Sequence, residues 1–293
     1  MTYREAWEWT RKVLLEIYPE QESLAIAREV FLRLLHLSPD QRVLKAHEPM
    51  SSESTLLITH ALEDLKTGKP VQYVTGVCEF LGMELKVEPG VLIPRPETEE
   101  LVLWAEKELK ARFQTTQPSV IDVGTGSGCI AIALAKRLSD ARISACDVSL
   151  KALQVASHNI TKHQVQVNLF LCNILDEATV VDHFLKDSHD CIISNPPYVR
   201  YSEMKWMKPN VLDFEPKQAL FVDDTNPLLY YRSIGELALR SLKPGGILLF
   251  EINENLSQET AEMLHQLGYT NIEIRLDLFG KPRFIKAQNR DNF

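Results

Sequence analysis

Between Val120 and Ala287, short apolar runs alternate with stretches of helical periodicity. The runs fall near Val120–Val123, Ile143–Cys146, Val167–Leu171, Cys191–Ser194, Gly246–Ile252, Ile272–Leu276 and Phe284–Ala287. Helical stretches at Cys129–Leu138, Leu150–Thr161, Leu228–Leu242 and Ser257–Leu267 fill most of the gaps. Strands apolar on both faces need cover on both, so the alternation predicts an α/β fold with a doubly wound, largely parallel sheet of seven strands. Only the short Leu278–Pro282 turn separates the last two runs. That is too short for a crossover, so the last strand must run antiparallel.

The first 70 residues read differently. Trp9, Val13, Leu14 and Ile17 recur at helical spacing, as do Leu24, Ala27, Phe31, Leu34 and Leu35. Ser38-Pro39 is an N-cap followed by proline at the first helical position. A further helix from Ser52 through Leu65 stops at Gly68, with Pro70 just beyond. The expected organisation is a small all-helical domain at 1–70, a β-hairpin linker at 71–93 around Gly82 and Pro89-Gly90, and a catalytic domain at 94–293 that opens with a helix from Pro96 to Phe113. The helical part carries no catalytic constellation. It is either a substrate-docking module or a structural cap.

Composition narrows the function classes. A net charge of −8 and a pI near 5.6 leave no electrostatic footprint for nucleic acid. No apolar run approaches the roughly 20 residues that span a bilayer, and the first residues lack a signal-peptide core. The five cysteines form no C-x-x-C pair, and no zinc-ligand spacing appears. We therefore expect a cytoplasmic, monomeric protein with reduced, buried thiols, no metal and no direct contact with DNA, RNA or membrane.

The first strand runs into Asp122-Val123-Gly124-Thr125-Gly126-Ser127-Gly128, and a helix follows. Glycines there allow a tight turn and close approach of a ligand to the backbone. A dinucleotide fingerprint requires G-x-G-x-x-G, and Cys129 occupies its third glycine position. The G-x-G-x-G spacing with an upstream acid resembles the S-adenosylmethionine (SAM) loop of Rossmann-like methyltransferases. SAM has no phosphate and carries a sulfonium cation, so its site needs room and carboxylates. Asp122 suits the cationic methionine end, or else caps the loop. Asp147 ends the second strand about twenty residues later and can accept both ribose hydroxyls, or else caps the next helix. Asn173 and Ile174 follow the third strand, where a polar group and an apolar wall can meet adenine.

The fourth strand ends in Asn195-Pro196-Pro197-Tyr198, about seventy residues after the glycines. Neither proline can donate to a sheet ladder, so the strand stops there. In doubly wound folds ligands bind at this edge. The Asn195 side-chain oxygen and the Pro196 carbonyl, held by a rigid turn, can accept both hydrogens of a planar NH2 group. Tyr198 can stack on its flat face. Such a turn is a clamp for an amide or an aromatic amine.

These motifs, with Pro70-Val71-Gln72-Tyr73, Leu92-Ile93-Pro94-Arg95-Pro96-Glu97-Thr98-Glu99 and Phe214-Glu215-Pro216-Lys217-Gln218-Ala219-Leu220, resemble the release factor glutamine methyltransferases of the HemK/PrmC type. The resemblance covers roughly residues 70–290. It implies a class I SAM-dependent methyltransferase sheet, and SAM as cofactor. It further implies methylation of the glutamine amide in the Gly-Gly-Gln loop of peptide chain release factors. By the same resemblance Gly124–Gly128, Asp147, Asn173 and Ile174 contact SAM, Asn195–Tyr198 clamp the glutamine, and Arg95 and Thr98 border the pocket. One departure is that Asn253 stands where a glycine is expected soon after Glu251. Glutamine methylation of a large-subunit ribosomal protein, methylation of an exocyclic base amine, and non-catalytic SAM binding remain as other readings.

Overall fold

The computed structural model describes residues 1–112, 117–180 and 183–290. Its helices and strands, in chain order, are α1 (Tyr3–Leu15), α2 (Glu20–Leu35), α3 (Pro39–Leu44), α4 (Ser52–Lys66), α5 (Val71–Thr75), β1 (Val77–Phe80), β2 (Met83–Lys86), α6 (Pro96–Arg112), β3 (Ser119–Val123), α7 (Cys129–Arg137), β4 (Arg142–Asp147), α8 (Leu150–His163), β5 (Asn168–Leu171), α9 (Glu177–Val180), β6 (His189–Ser194), β7 (Val199–Arg200), α10 (Pro209–Phe214), α11 (Lys217–Leu220), β8 (Phe221–Val222), α12 (Leu229–Ser241), β9 (Leu242–Glu251), α13 (Ser257–Leu267), β10 (Thr270–Leu276) and β11 (Pro282–Gln288). The helix expected to reach Phe113 is described to Arg112, and Phe113 lies outside the described residues. No helix among the described residues is long and apolar enough to cross a membrane.

The chain divides into two compact units. The first comprises Met1–Cys78, Val87–Pro89 and Met207–Phe214. Its core gathers the apolar faces of α1, α2 and α4, with Leu14, Phe31, Ile58, Leu62 and Leu65 buried. Capping boxes at Thr2 and Ser38 satisfy otherwise orphaned amide groups, and Pro39 takes the first helical position as expected. Val71–Thr75 differs from the extended hairpin arm expected there. It forms one helical turn between Pro70 and the left-handed Gly76. Its β-branched residues favour a strand, but Tyr73 is buried and Val71 and Val74 pack on the helical core, and that burial overrides local preference. The hairpin itself is β1–β2, turning at Leu81-Gly82, both with positive φ.

The second unit holds Glu79–Lys86, Gly90–Trp206 and Glu215–Phe293, described up to residue 290. Its sheet has the order β10-β11-β9-β6-β3-β4-β5. The register of β3 with β4 and β6, of β4 with β5 and of β6 with β9 is parallel. Strand β11 pairs antiparallel with both β9 and β10. This is the predicted α/β architecture, with the last strand antiparallel. Separate apolar cores cover the two faces of the sheet. All five cysteines are buried, and none forms a disulfide.

Parallel pairing brings strand ends together. Val123 lies opposite Ser194, Ser194 opposite Phe250, and Asp147 opposite Leu171. The chain therefore leaves β3, β4, β5, β6 and β9 at one edge, where the glycine loop, Asp147, Asn173-Ile174 and the Asn195 turn each follow their strand. Gly128 anchors the start of α7. It has φ +85°, and an added Cβ would lie 3.1 Å from Ile132 Cδ1 and 3.2 Å from Ala156 Cβ. The glycine is thus needed for both conformation and the close approach of α7 to α8. Gly128→Ala is expected to cost about 1–3 kcal/mol from backbone strain and overpacking. Urea unfolding would check it, and an unchanged midpoint would tell against the close contact.

Candidate active site

Hydrogen bonds to β4 and to two aspartates shape the glycine loop. The amides of Gly124 and Thr125 both donate to the Cys146 carbonyl at 2.9 Å, tying the loop to β4. Asp147, at the end of β4, accepts from the Gly126 amide at 2.9 Å and from the Ser149 amide at 2.8 Å. Gly126 has φ +55°, and that left-handed turn lets its amide reach the Asp147 carboxylate. Ser149, rather than Asp147, caps α8 by accepting from the Ala152 amide. Asp147 is therefore committed to the loop, and its half-buried carboxylate keeps unused lone pairs. Burial pushes its carboxyl up, against the pull of the Ser149 and Gly126 amides.

Asp122 lies beneath the loop. It is fully buried, and its Oδ2 accepts from the Thr125 hydroxyl at 2.6 Å. Its Oδ1 has no hydrogen-bond partner among the described residues, and the Ala131 amide favours the charged form of the carboxyl. Burial pushes this carboxyl up to about 7, against the Thr125 hydrogen bond. The Ser127 hydroxyl is likewise buried without a partner.

The strand ends and loops enclose a cavity of about 270 Å³. Gly124, Thr125, Gly126 and Ser127 line it, with Asp147, Val148, Asn173, Ile174 and Leu175. Asn195, Pro196 and Pro197 line it too, as do Arg95, Thr98, Pro216, Gln218 and Tyr230. The structure thus brings most of the predicted residues to one cavity. Asp122, Gly128 and Tyr198 are not part of its wall. Asp122 underlies the loop and Gly128 packs two helices. The Tyr198 hydroxyl is turned to Glu251 instead, donating to Oε1 at 2.9 Å.

At the end of β6, Ser194 donates to the Val123 carbonyl at 2.6 Å, securing the strand before the turn. The Asn195 amide nitrogen donates to Thr98 Oγ1 at 3.1 Å. The Thr98 hydroxyl donates to Glu251 Oε2 at 2.7 Å. Asn195 Oδ1 and the Pro196 carbonyl accept no hydrogen bond among the described residues. Both are acceptors beside the cavity. Arg95 is held by Glu215, with Nη2 2.6 Å from Oε1, and the same carboxylate accepts from the Ile93 amide. Glu215 therefore supports the Ile93–Arg95 wall, and Pro216, Gln218 and Ala219 reach the cavity.

Asn253 resolves the departure after β9. Its backbone is extended, so no glycine is required, and its side chain accepts from the Asn255 amide. Its amide nitrogen donates to the Tyr198 carbonyl at 3.0 Å and to Glu203 at 2.8 Å. Sequence reasoning missed Glu251 as a site residue. An acid ending an apolar strand at the ligand-binding edge was the available signal.

The chemistry of the donor set suits a cationic, nucleoside-bearing ligand. Two partly unsatisfied carboxylates sit under and beside the loop. The Asn173 Oδ1 is taken by the Leu175 amide, leaving its NH2 group for a ring acceptor, with Ile174 as apolar wall. Among the described residues no cluster of His, Cys, Asp or Glu is arranged to hold a metal ion.

Comparison with known proteins agrees with this geometry. Residues 105–209 match the methyltransferase small domain family, and residues 5–76 match the PrmC N-terminal domain. The chain is 42% identical to the release factor glutamine methyltransferase of Flavobacterium psychrophilum over 95% of its length and 96% of that protein. This chain belongs to the release factor glutamine methyltransferases. The enzyme of that name from Bacteroides thetaiotaomicron is 37% identical over 95% of this chain and 97% of that protein. Among solved structures, a methyltransferase from Pyrococcus furiosus shares the fold of this family member, with a TM-score of 0.53 at 17% identity, covering 82% of this chain and 100% of that one.

The Asp122 carboxyl makes stability depend on pH. It keeps its proton to about pH 7 when folded, whereas the ordinary value is 3.8. The folded state then binds more protons between these values, so stability falls as pH rises from about 4 to about 7 and levels off above. Between pH 5 and pH 8 the ligand-free wild type is expected to lose about 2–3 kcal/mol relative to Asp122→Asn. Urea midpoints at the two pH values measure this, and a pH-independent difference would refute it.

Proposed function

We infer that this protein transfers the methyl group of SAM to the side-chain amide nitrogen of the glutamine in the Gly-Gly-Gln motif of peptide chain release factors. The observation that carries this reading is the pair of unsatisfied acceptors, Asn195 Oδ1 and the Pro196 carbonyl, beside a cavity lined by the Asp147 carboxylate. Membership of the family supports it. Five buried thiols outside any disulfide suit a cytoplasmic setting, and the helical first unit is a candidate docking element for the protein substrate.

SAM, when bound, supplies a methyl group already bonded to a cationic sulfur. The loop Gly124–Ser127 offers backbone close to the ligand. Asp147 would offer its lone pairs to the ribose hydroxyls, Asn173 and Ile174 would hold the adenine, and Asp122 would contribute charge from beneath the loop. Asn195 Oδ1 and the Pro196 carbonyl accept the two amide hydrogens and orient the nitrogen. An amide nitrogen is nearly non-basic and carries no extra proton at neutral pH, so none need be removed before transfer; as the nitrogen gains the methyl group and the sulfonium becomes a neutral thioether, one amide hydrogen is lost to water. Catalysis then rests on positioning, worth about 7–11 kcal/mol in well-oriented cases. The same two oxygens stabilise positive charge developing on nitrogen.

Labelled SAM offered to unmodified release factor, ribosomal protein and DNA, with mass mapping of the product, tests the substrate. Label on the Gly-Gly-Gln glutamine is the expected result; label only on another substrate would move the function there. Asn195→Ala should bind SAM nearly as the wild type does and lose transfer. Asp147→Asn should weaken SAM binding first, by about tenfold for one charge-assisted hydrogen bond. Wild-type turnover by the Asn195 variant would exclude the clamp, and unchanged SAM affinity at position 147 would return that carboxylate to a purely loop-bracing role.

A further inference from the structure

The two ends of an asparagine side chain are nearly equal in shape and opposite in hydrogen-bonding sense. At Asn195 that sense decides what the site can hold. With Oδ1 toward the cavity, the side chain accepts from an NH2 group. With Nδ2 toward the cavity, it would donate to a carboxylate. Nothing in Asn195-Pro196-Pro197-Tyr198 itself chooses between the two.

The choice is made on the far side of the asparagine. Glu251 is buried, and its two oxygens are met by two hydroxyls, Thr98 on Oε2 and Tyr198 on Oε1. Both hydroxyls are placed to donate to it; burial raises this carboxyl, and the Thr98 and Tyr198 hydrogen bonds together with the Arg283 charge oppose that rise and favour the carboxylate. A carboxylate only accepts, so the Thr98 hydroxyl must point its hydrogen at Glu251. The Thr98 oxygen then has only acceptor capacity left for Asn195. It takes the Asn195 NH2 group at 3.1 Å, and Oδ1 turns to the cavity.

We propose that Glu251, acting through Thr98, sets the polarity of the Asn195 amide and so makes the site select a carboxamide over a carboxylate side chain. The proposal rests on the glutamine reading above. Glu251 and Thr98 are positioning residues in it. The relay explains why a buried acid stands at the end of β9 and why Thr98 lies buried at the cavity wall. In Glu251→Gln, the Tyr198 hydroxyl can keep donating to Oε1, which turns the new NH2 group toward Thr98. Thr98 is then free to donate to Asn195, and the amide can reverse.

The test is competitive binding of two short peptides ending the same loop in Gly-Gly-Gln or Gly-Gly-Glu, with S-adenosylhomocysteine present, beside turnover of the Gly-Gly-Gln peptide. The wild type should bind the Gln peptide and reject the Glu peptide. Glu251→Gln and Thr98→Val should each narrow that preference by about tenfold or more, the scale of one buried hydrogen bond whose sense is lost. Both should lower kcat while leaving the SAM Kd nearly unmoved. Thr98→Ser, which keeps the hydroxyl, should recover most of what Thr98→Val loses. Should Glu251→Gln melt early, the Thr98 pair decides alone. Loss of rate with the Gln-over-Glu preference intact in the folded variants would overturn the relay and leave the function reading standing. A wild type that binds neither peptide, or both equally, would overturn the relay, and the absence of Gln-peptide binding would count against the glutamine reading as well.

Discussion

The buried carboxylate of Glu251 organises this site. A charge removed from water is costly unless it is hydrogen-bonded, so Glu251 requires donors. It finds them in Thr98 and Tyr198, 153 and 53 residues away in sequence. Each partner is thereby committed. Tyr198 turns its hydroxyl inward and away from the cavity. Thr98 spends its hydrogen and presents only an acceptor to Asn195. The outward acceptors of the turn after β6 follow from that demand.

The cofactor side shows a parallel economy of carboxylates. Asp147 holds the glycine loop through the Gly126 amide, and Asp122 holds it from below through Thr125. Neither carboxylate is fully satisfied, and burial raises both carboxyls. A cation nearby would ease this cost, which makes the ligand-free state the strained one. The parallel register of β3, β4 and β6 places these acids and the Asn195 turn at one sheet edge.

Much of this was legible beforehand, for local reasons. Strand and helix alternation depends on periodicity within short windows, and all seven sheet strands appear where the apolar runs fall. The antiparallel last strand follows from a turn too short for a crossover. The glycine loop, Asp147, Asn173 and Asn195 sit at strand ends, and strand ends in such a fold meet at one edge. Val71–Thr75 misled because its residues favour strands locally, while burial of Tyr73 holds it in a helical turn. Local pattern suggests that Tyr198 and Asp122 face a ligand, as their neighbours do; their side chains point instead to Glu251 and Thr125 inside the fold.

The α/β architecture, the glycine loop, the acid after it and the rigid acceptor turn are each encoded over a few consecutive residues and so can be read from the chain alone. That Glu251 and Thr98 stand behind Asn195, that Glu215 holds Arg95 and that Tyr198 leaves the cavity emerges with folding. Those outcomes depend on which donor meets which buried acceptor across 97, 120 and 53 residues of chain. No local pattern specifies such a pairing; it is made when packing closes the sheet edge and every buried polar group must find its partner.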